Sequence, residues 1–188
     1  MYQVIESHSA LTQPTAVITA TVPDDERQRW IASVHRRVRA YLHEVGVRPA
    51  GPPFARTCFQ HVADLHGPRQ SVVEAGFPTA NPVLGDGVVE PSTLPAGPIA
   101  VSVHSGDPSG IDAAYDRLTR WLEERGCQLA GPPWEVYLIG SEDQPNPTRW
   151  LTQVIAPCQA PPPDDDTAPA ATSRLIIFGA DERHQQLV

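Results

Sequence analysis

Ala50-Gly51-Pro52-Pro53-Phe54-Ala55 and Ala130-Gly131-Pro132-Pro133-Trp134-Glu135 are one turn written twice, eighty residues apart. Two prolines forbid continuation of a preceding helix, and the aromatic opens a strand-like run. The match extends outward. Arg37, Leu42, Glu44 and Gly46 align with Arg117, Leu122, Glu124 and Gly126, and Pro14, Ala16 and Val17 align with Pro98, Ala100 and Val101. Glu6 after Val4-Ile5 aligns with Glu90 after Val88-Val89. Two copies predict a pseudo-symmetric single domain, since a solenoid needs three or more.

Each copy carries the same order of elements. A β-rich stretch comes first, Ala16–Val22 and then Ile99–His104. A helix follows. Trp30, Ile31, Val34, Val38, Tyr41, Leu42 and Val45 recur at helical spacing in copy one, as do Ile111, Ala114, Tyr115, Leu118, Trp121 and Leu122 in copy two. Ser109, three residues before Asp112, is the expected N-cap of the second helix. Gly46 and Gly126 stand where a helix end needs a left-handed residue. Two strands then close each copy, Phe54–Val62 with Ser71–Phe77 and Trp134–Gly140 with Trp150–Ile155, across turn-forming segments. The expected fold is α+β: two tandem β-α-β-β modules with pseudo-twofold symmetry and a ligand cleft between them. The modules cover about residues 2–80 and 86–158 of a domain spanning 1–158. A flexible Pro/Asp/Ala linker over 159–173 and a C-terminal extension over 174–188, with the apolar run Leu175–Phe178, complete the chain.

Composition narrows the function. The net charge of −8 disfavours nucleic acid, which is held by Lys and Arg neutralising phosphates. The arginines at 27, 29, 36, 37 and 39 read as a solvated helix face. No apolar run reaches the roughly 20 residues of a membrane span, and no leader opens the chain, so the cytoplasm is the expected location. Three widely spaced cysteines imply neither a disulfide framework nor a zinc knuckle, and His61 and His66 lack a third ligand. No cofactor or metal is implied, and a phosphate loop is excluded because the chain has no lysine.

The two copies differ where chemistry is expected. A scaffold repeat needs its turn and its aromatic twice, but not a carboxylate in one copy only. Strand alternation puts Glu135, Tyr137 and Ile139 on one face and Trp134, Val136 and Leu138 on the other, the apolar set being expected under the helix. Ala55, Thr57 and Phe59 take the Glu135 face in copy one. Two such faces meeting would enclose aromatic walls around one negative charge, a setting for a lipophilic cation. Glu74 and Gln153 occupy matching places in the last strands, as a second carboxylate and a polar contact. His104 ends a strand on the cleft side. His104-Ser105-Gly106-Asp107 holds catalytic residue types, but adjacent residues rarely converge as a triad. Cys58 alternates with Thr57 and Phe59 and reads as core.

Leu94-Pro95-Ala96-Gly97-Pro98-Ile99-Ala100-Val101, the helix ending Trp121-Leu122-Glu123-Glu124-Arg125-Gly126, and Gly131-Pro132-Pro133-Trp134-Glu135-Val136-Tyr137-Leu138 resemble the GyrI-like small-molecule-binding family over about residues 2–158. Glu74-Ala75-Gly76-Phe77-Pro78 and Gly85-Asp86-Gly87 fit its linking segment. That family includes effector-binding domains of multidrug-responsive transcription activators and stand-alone proteins, among them a gyrase inhibitor and hydrolases of cyclopropane-bearing DNA alkylators. The resemblance implies a cleft glutamate at Glu135 with Tyr137 as its aromatic neighbour. The chain departs from the family at Gln153, where a second glutamate is frequent, at Ala156, where an aromatic is frequent, and at Gly106-Asp107-Pro108 before the second helix.

The expected function is capture of bulky hydrophobic, often cationic aromatic compounds by a stand-alone domain. Glu135, Tyr137, Phe59, Trp134, Phe77, His104 and Gln153 are the expected ligand contacts. The alternative is a hydrolase opening cyclopropane-bearing alkylators, with Glu135 as base and Tyr137 orienting water. No sequence feature identifies a protein partner.

Overall fold

The computed structural model describes residues 5–61, 69–141 and 143–159, the side chains of 59–61 excepted. Among these described residues nine strands and two helices follow in the order β1 (Glu6–Ala10), β2 (Gln13–Pro23), α1 (Arg27–Glu44), β3 (Phe54–His61), β4 (Gln70–Pro78), β5 (Glu90–Leu94), β6 (Gly97–Ser105), α2 (Asp112–Glu124), β7 (Gln128–Leu129), β8 (Trp134–Ile139) and β9 (Leu151–Gln159). The class is α+β. The expected linker, the extension with Leu175–Phe178, and the turn holding His66 lie outside the described residues.

All strand pairs are antiparallel, in the order β1-β6-β9-β8-β3-β4-β2-β5, with β7 added beside β9. The strands β1, β5 and the two-residue β7 were not foreseen. β1 pairs with β6 (Glu6 opposite Val101), and β5 pairs with β2 (Val17 opposite Glu90). β1 and β5 therefore each cross to the edge of the other half's sheet. At the middle of the sheet, β3 pairs with β8.

Alternation sorts the core. On one sheet face α1 covers Ala16, Val22, Val73, Ala75 and Phe77, and α2 covers Ala100, Val154, Ala156 and Cys158. Many of these are alanines, which let a helix approach the strands closely. The other face carries the larger chains Phe54, Ile99, Trp134, Val136 and Ile155, joined by Val17, Leu94 and Val101, and no helix residue. This reverses the sequence expectation for β8: Trp134 and Val136 pack on the helix-free face, and Glu135 and Tyr137 look toward the helices. The physical reason is volume. The helix-free face is filled only by its own side chains, so it takes the largest ones.

Both helices end as their glycines require. Gly46 has φ 70° and Gly126 φ 63°. Behind them Val47 N–H donates to the Leu42 carbonyl at 2.8 Å and Cys127 N–H to that of Leu122 at 2.9 Å. The start of α2 differs from expectation. Its cap residue is Ile111, without a side-chain bond, and the side chain that caps is Asp107, which accepts from Ser109 N–H at 2.9 Å over the 3-10 turn Pro108–Gly110. Gly76 in β4 is obligatory for another reason, since a Cβ there would lie 2.0 Å from the Ala16 carbonyl oxygen.

Candidate functional site

α1 packs mainly on β2 and β4, and α2 mainly on β6 and β9, and between them side chains such as His35 and Tyr115 reach over the gap above β3 and β8. A cavity of about 920 Å³ occupies that gap. Its α1 wall carries Arg27, Ile31, His35, Arg36 and Arg39, and its opposite wall Asp107, Ile111, Asp112 and Asp143. Pro52, Pro53, Phe77, Tyr137, Trp150 and Thr152 also line it.

Glu135 lies behind this cavity. It is 4% exposed and does not itself line the space. Tyr115 of α2 donates its hydroxyl to Glu135 Oε1 at 3.0 Å, and Tyr137, two residues along β8, donates to Oε2 at 2.8 Å. Tyr137, partly buried, is the wall between carboxylate and cavity. Burial pushes both phenols above the usual range. The adjacent Glu135 charge raises them further, and Arg27 opposes the shift. Both phenols therefore stay protonated and donating across the physiological range.

His35 of α1 braces the other side. Its Nε2 bonds the Phe54 carbonyl oxygen at 3.0 Å, and its ring meets Phe77 and Tyr137 edge-on at 5.7 and 5.4 Å between centroids. The Arg39 guanidinium lies over Phe77 at 5.2 Å. Arg27 donates to Thr57 Oγ1 at 3.3 Å across the α1–β3 gap. At the opposite wall the Ser109 N–H holds the Asp107 carboxyl below its ordinary value.

The expected contacts divide. Tyr137 and Phe77 line the cavity, with Glu135 directly behind. Trp134 does not, being 2% exposed on the helix-free face among Phe54 and Ile155. Gln153 stands opposite Val136 in the β8–β9 register, so it too belongs to the helix-free side, and the β9 residue beside Tyr137 is Thr152. His104 shares the helix face, but its Nε2 bonds the Asp107 carbonyl oxygen at 2.8 Å beneath the 3-10 turn, away from the cavity lining. Phe59 falls after a register shift between Thr57 and Phe59, which breaks the alternation used to place it, and its side chain lies outside the described residues. Glu74 is no second cleft acid. On the helix-free face it binds Arg56 through Nε–Oε1 at 2.9 Å and Nη2–Oε2 at 3.1 Å, and accepts from Ser92 at 3.0 Å. Cys58 is half-buried, and burial raises its thiol, so it is not an activated thiolate.

Tyr115 is the residue sequence reasoning missed. It was read as part of the apolar stripe of α2. The eighty-residue offset pairs it with His35, just as Glu135 pairs with Ala55 and Tyr137 with Thr57. The polar residues gathered here are thus where the copies differ. Among the described residues no group of three or more His, Cys, Asp or Glu could hold a metal, and no helix is long and apolar enough to cross a membrane.

A model of the GyrI-like small molecule binding domain matches residues 12–159. No curated protein matches in sequence. Among solved structures, the EcmrR C-terminal domain is 17% identical with a TM-score of 0.70, over 85% of this chain and 99% of that one. In the EcmrR–DNA complex the figures are 16% and 0.72, and this chain, 84% covered, spans 58% of the EcmrR chain. A hydrolase encoded by lin2189 from Listeria innocua is 13% identical with a TM-score of 0.59, over 82% and 91%. SAV2435 bound to tetraphenylphosphonium is 13% identical with a TM-score of 0.52, over 85% and 94%. At these identities the likeness speaks for the fold.

Proposed function

Because the chain belongs to the GyrI-like small molecule binding domain family, we propose that it captures bulky hydrophobic, cationic aromatic compounds in the cavity between its two helices. The observation that carries this reading is the buried Glu135 carboxylate, both of whose oxygens are held by phenol hydroxyls directly behind the cavity wall. A flat cation stacked on Tyr137 meets the negative face of that ring, and the carboxylate behind supplies the point charge. Phe77 and Trp150 add aromatic surface. The tetraphenylphosphonium bound to SAV2435 agrees with a ligand of this kind. We place the domain in the cytoplasm, as one built of two duplicated β-α-β-β modules. That duplication is supported by the repeated turn, the matched helix-ending glycines and the reciprocal places of β1 and β5.

The test is titration with tetraphenylphosphonium and with neutral triphenylphosphine oxide. Glu135→Gln is expected to weaken the phosphonium about tenfold or more, a loss of roughly 1.4 kcal/mol, and to leave the oxide nearly unchanged. Equal losses for both would remove the charge argument.

Hydrolysis is a second reading, favoured by one feature. A carboxylate flanked by two protonated phenols can accept a water's proton while a phenol orients the water, given that Tyr137 moves aside to admit that water from the cavity. Multiple turnovers of a cyclopropane-bearing alkylator, abolished by Glu135→Gln, would establish it. Product limited to one equivalent would exclude it.

A further inference from the structure

Arg27 stands at the first position of α1 and lines the cavity. A cation is out of place at a helix N-terminus, where the free N–H groups already supply positive charge. Asp24, Asp25 and Glu26 precede it in the chain. Its guanidinium is nevertheless turned onto β3, where Nη1 donates to Thr57 Oγ1 at 3.3 Å. The strand register fixes what lies beside that hydroxyl. Thr57 pairs with Val73, a core residue under α1, so it shares the helix side of the sheet. Ala55, two residues back on the same side, sits opposite Glu135. Thr57 is therefore the diagonal neighbour of Glu135 across the β3–β8 pairing, a separation that a long side chain can span. The electrostatics agree with this placement. Burial and the Glu135 charge raise the phenols of Tyr115 and Tyr137, and Arg27 is the charge that pulls both back down.

We propose that Arg27 is the resident counter-charge of Glu135 and sets how strongly the cavity takes a cation. This rests on the binding reading above and names the residue that tunes it. With the cavity empty, the guanidinium held on Thr57 offsets the buried carboxylate through space from the next strand. A cation entering over the Tyr137 ring uses the same carboxylate, so two positive charges compete for it. Arg27 therefore holds down the affinity for cations and leaves that for neutral compounds of the same shape alone. Its bond to Thr57 is long and made to an uncharged hydroxyl. The half-buried guanidinium is thus weakly held, and it can retreat toward solvent as a ligand arrives.

Two measurements test this. In the first, tetraphenylphosphonium and neutral triphenylphosphine oxide are titrated against the unaltered protein, Arg27→Gln and Arg27→Lys. Arg27→Gln is expected to bind the phosphonium about tenfold more tightly and the oxide as before. Arg27→Lys keeps the charge and should stay close to the unaltered protein for both. In the second, without ligand, urea midpoints are compared for the unaltered protein, Arg27→Gln, Glu135→Gln and the double variant. Arg27→Gln should lower the midpoint of the unaltered protein, and should leave it or raise it in the Glu135→Gln background. The same midpoints report that each variant folds. Unchanged or weaker phosphonium binding in Arg27→Gln overturns the inference and leaves cation capture standing. So does an equal midpoint change in both backgrounds. A gain shared by phosphonium and oxide means that Arg27 acts through its bulk, and overturns the inference too. If the phosphonium binds none of these proteins, the binding reading falls and this inference with it.

Discussion

Ala55 and Glu135 face each other directly across the β3–β8 pairing at the middle of the sheet. The methyl leaves the room that the carboxylate needs. With Tyr115 and Tyr137 closing over that carboxylate, the three side chains form one unit held by two charge-assisted bonds. Bonds to a charged acceptor contribute about 1.5–3 kcal/mol each. Tyr115→Phe and Tyr137→Phe should each destabilise the domain by about 1–2 kcal/mol, because the remaining phenol still serves the carboxylate. The double variant leaves a buried charge with neither donor, so its loss should exceed the sum of the two. Urea denaturation of the four proteins measures this cycle. Simple additivity would mean that the two bonds act independently.

The same phenols set an alkaline limit. Both have folded values above the usual phenol value of 10.0, so the folded state holds its protons where the unfolded chain releases them. Below about pH 10 both states are protonated and the stabilisation is complete. As pH rises beyond that, the unfolded chain gains phenolate first and stability falls. A spectrophotometric titration should therefore show Tyr115 and Tyr137 ionising together with unfolding, not before it. Replacing both by Phe should flatten this alkaline loss while lowering stability at neutral pH. A phenolate signal from either residue in the folded protein would contradict the assignment.

The turn repeat, both helices and six of the nine strands were readable in the sequence, because each is written locally. Proline stops a helix, glycine permits its left-handed end, and apolar spacing marks its face. β1, β5 and the two-residue β7 were not readable. The partners of β1 and β5 lie in the other half, and nothing local states that Glu6 will face Val101. The two faces of β8 were legible as sets up to Tyr137, since alternation is a property of the strand, and a register shift between Tyr137 and Ile139 breaks the pattern beyond it. Which set lies beneath the helices was not, because it depends on how much volume each side must fill. Trp134 and Gln153 were misplaced for that reason. Glu135 was found by comparing the copies, and carrying the same comparison along α2 would have paired Tyr115 with His35.

Trp134 gives a direct check on that assignment of faces. It is almost fully buried among Phe54, Val136 and Ile155, on the side without helices. Trp134→Phe should lower stability by about 1–3 kcal/mol through the volume it leaves empty. It should leave affinity for a dye unchanged. Tyr137→Ala should do the reverse in emphasis, losing dye affinity about tenfold or more through its lost stacking surface. Thermal melts and dye titrations on the two variants separate the faces. Loss of dye affinity in the Trp134 variant, at a temperature where it is folded, would put the indole back at the ligand.

The Arg56–Glu74 pair is less deeply buried than Glu135, and it carries a different prediction. Its side chains are 16% and 8% exposed, and each charge has its counter-charge within 2.9 Å, with Ser92 as an added donor. A buried ion pair is costly to desolvate, and its net contribution over an apolar pair of similar volume is small. Breaking it from one side is another matter, because the partner is left charged and without compensation. Arg56→Met should therefore destabilise the domain by about 3–5 kcal/mol, and Glu74→Leu by a similar amount. Arg56→Met with Glu74→Leu should recover most of the loss. Denaturant midpoints for the two single variants and the double settle the point. A double variant as unstable as either single would show that the pair has a packing role on β3 and β4 that methionine and leucine cannot fill. Dye affinity should stay the same in all three folded proteins, since this pair and the cavity lie on opposite faces of one sheet.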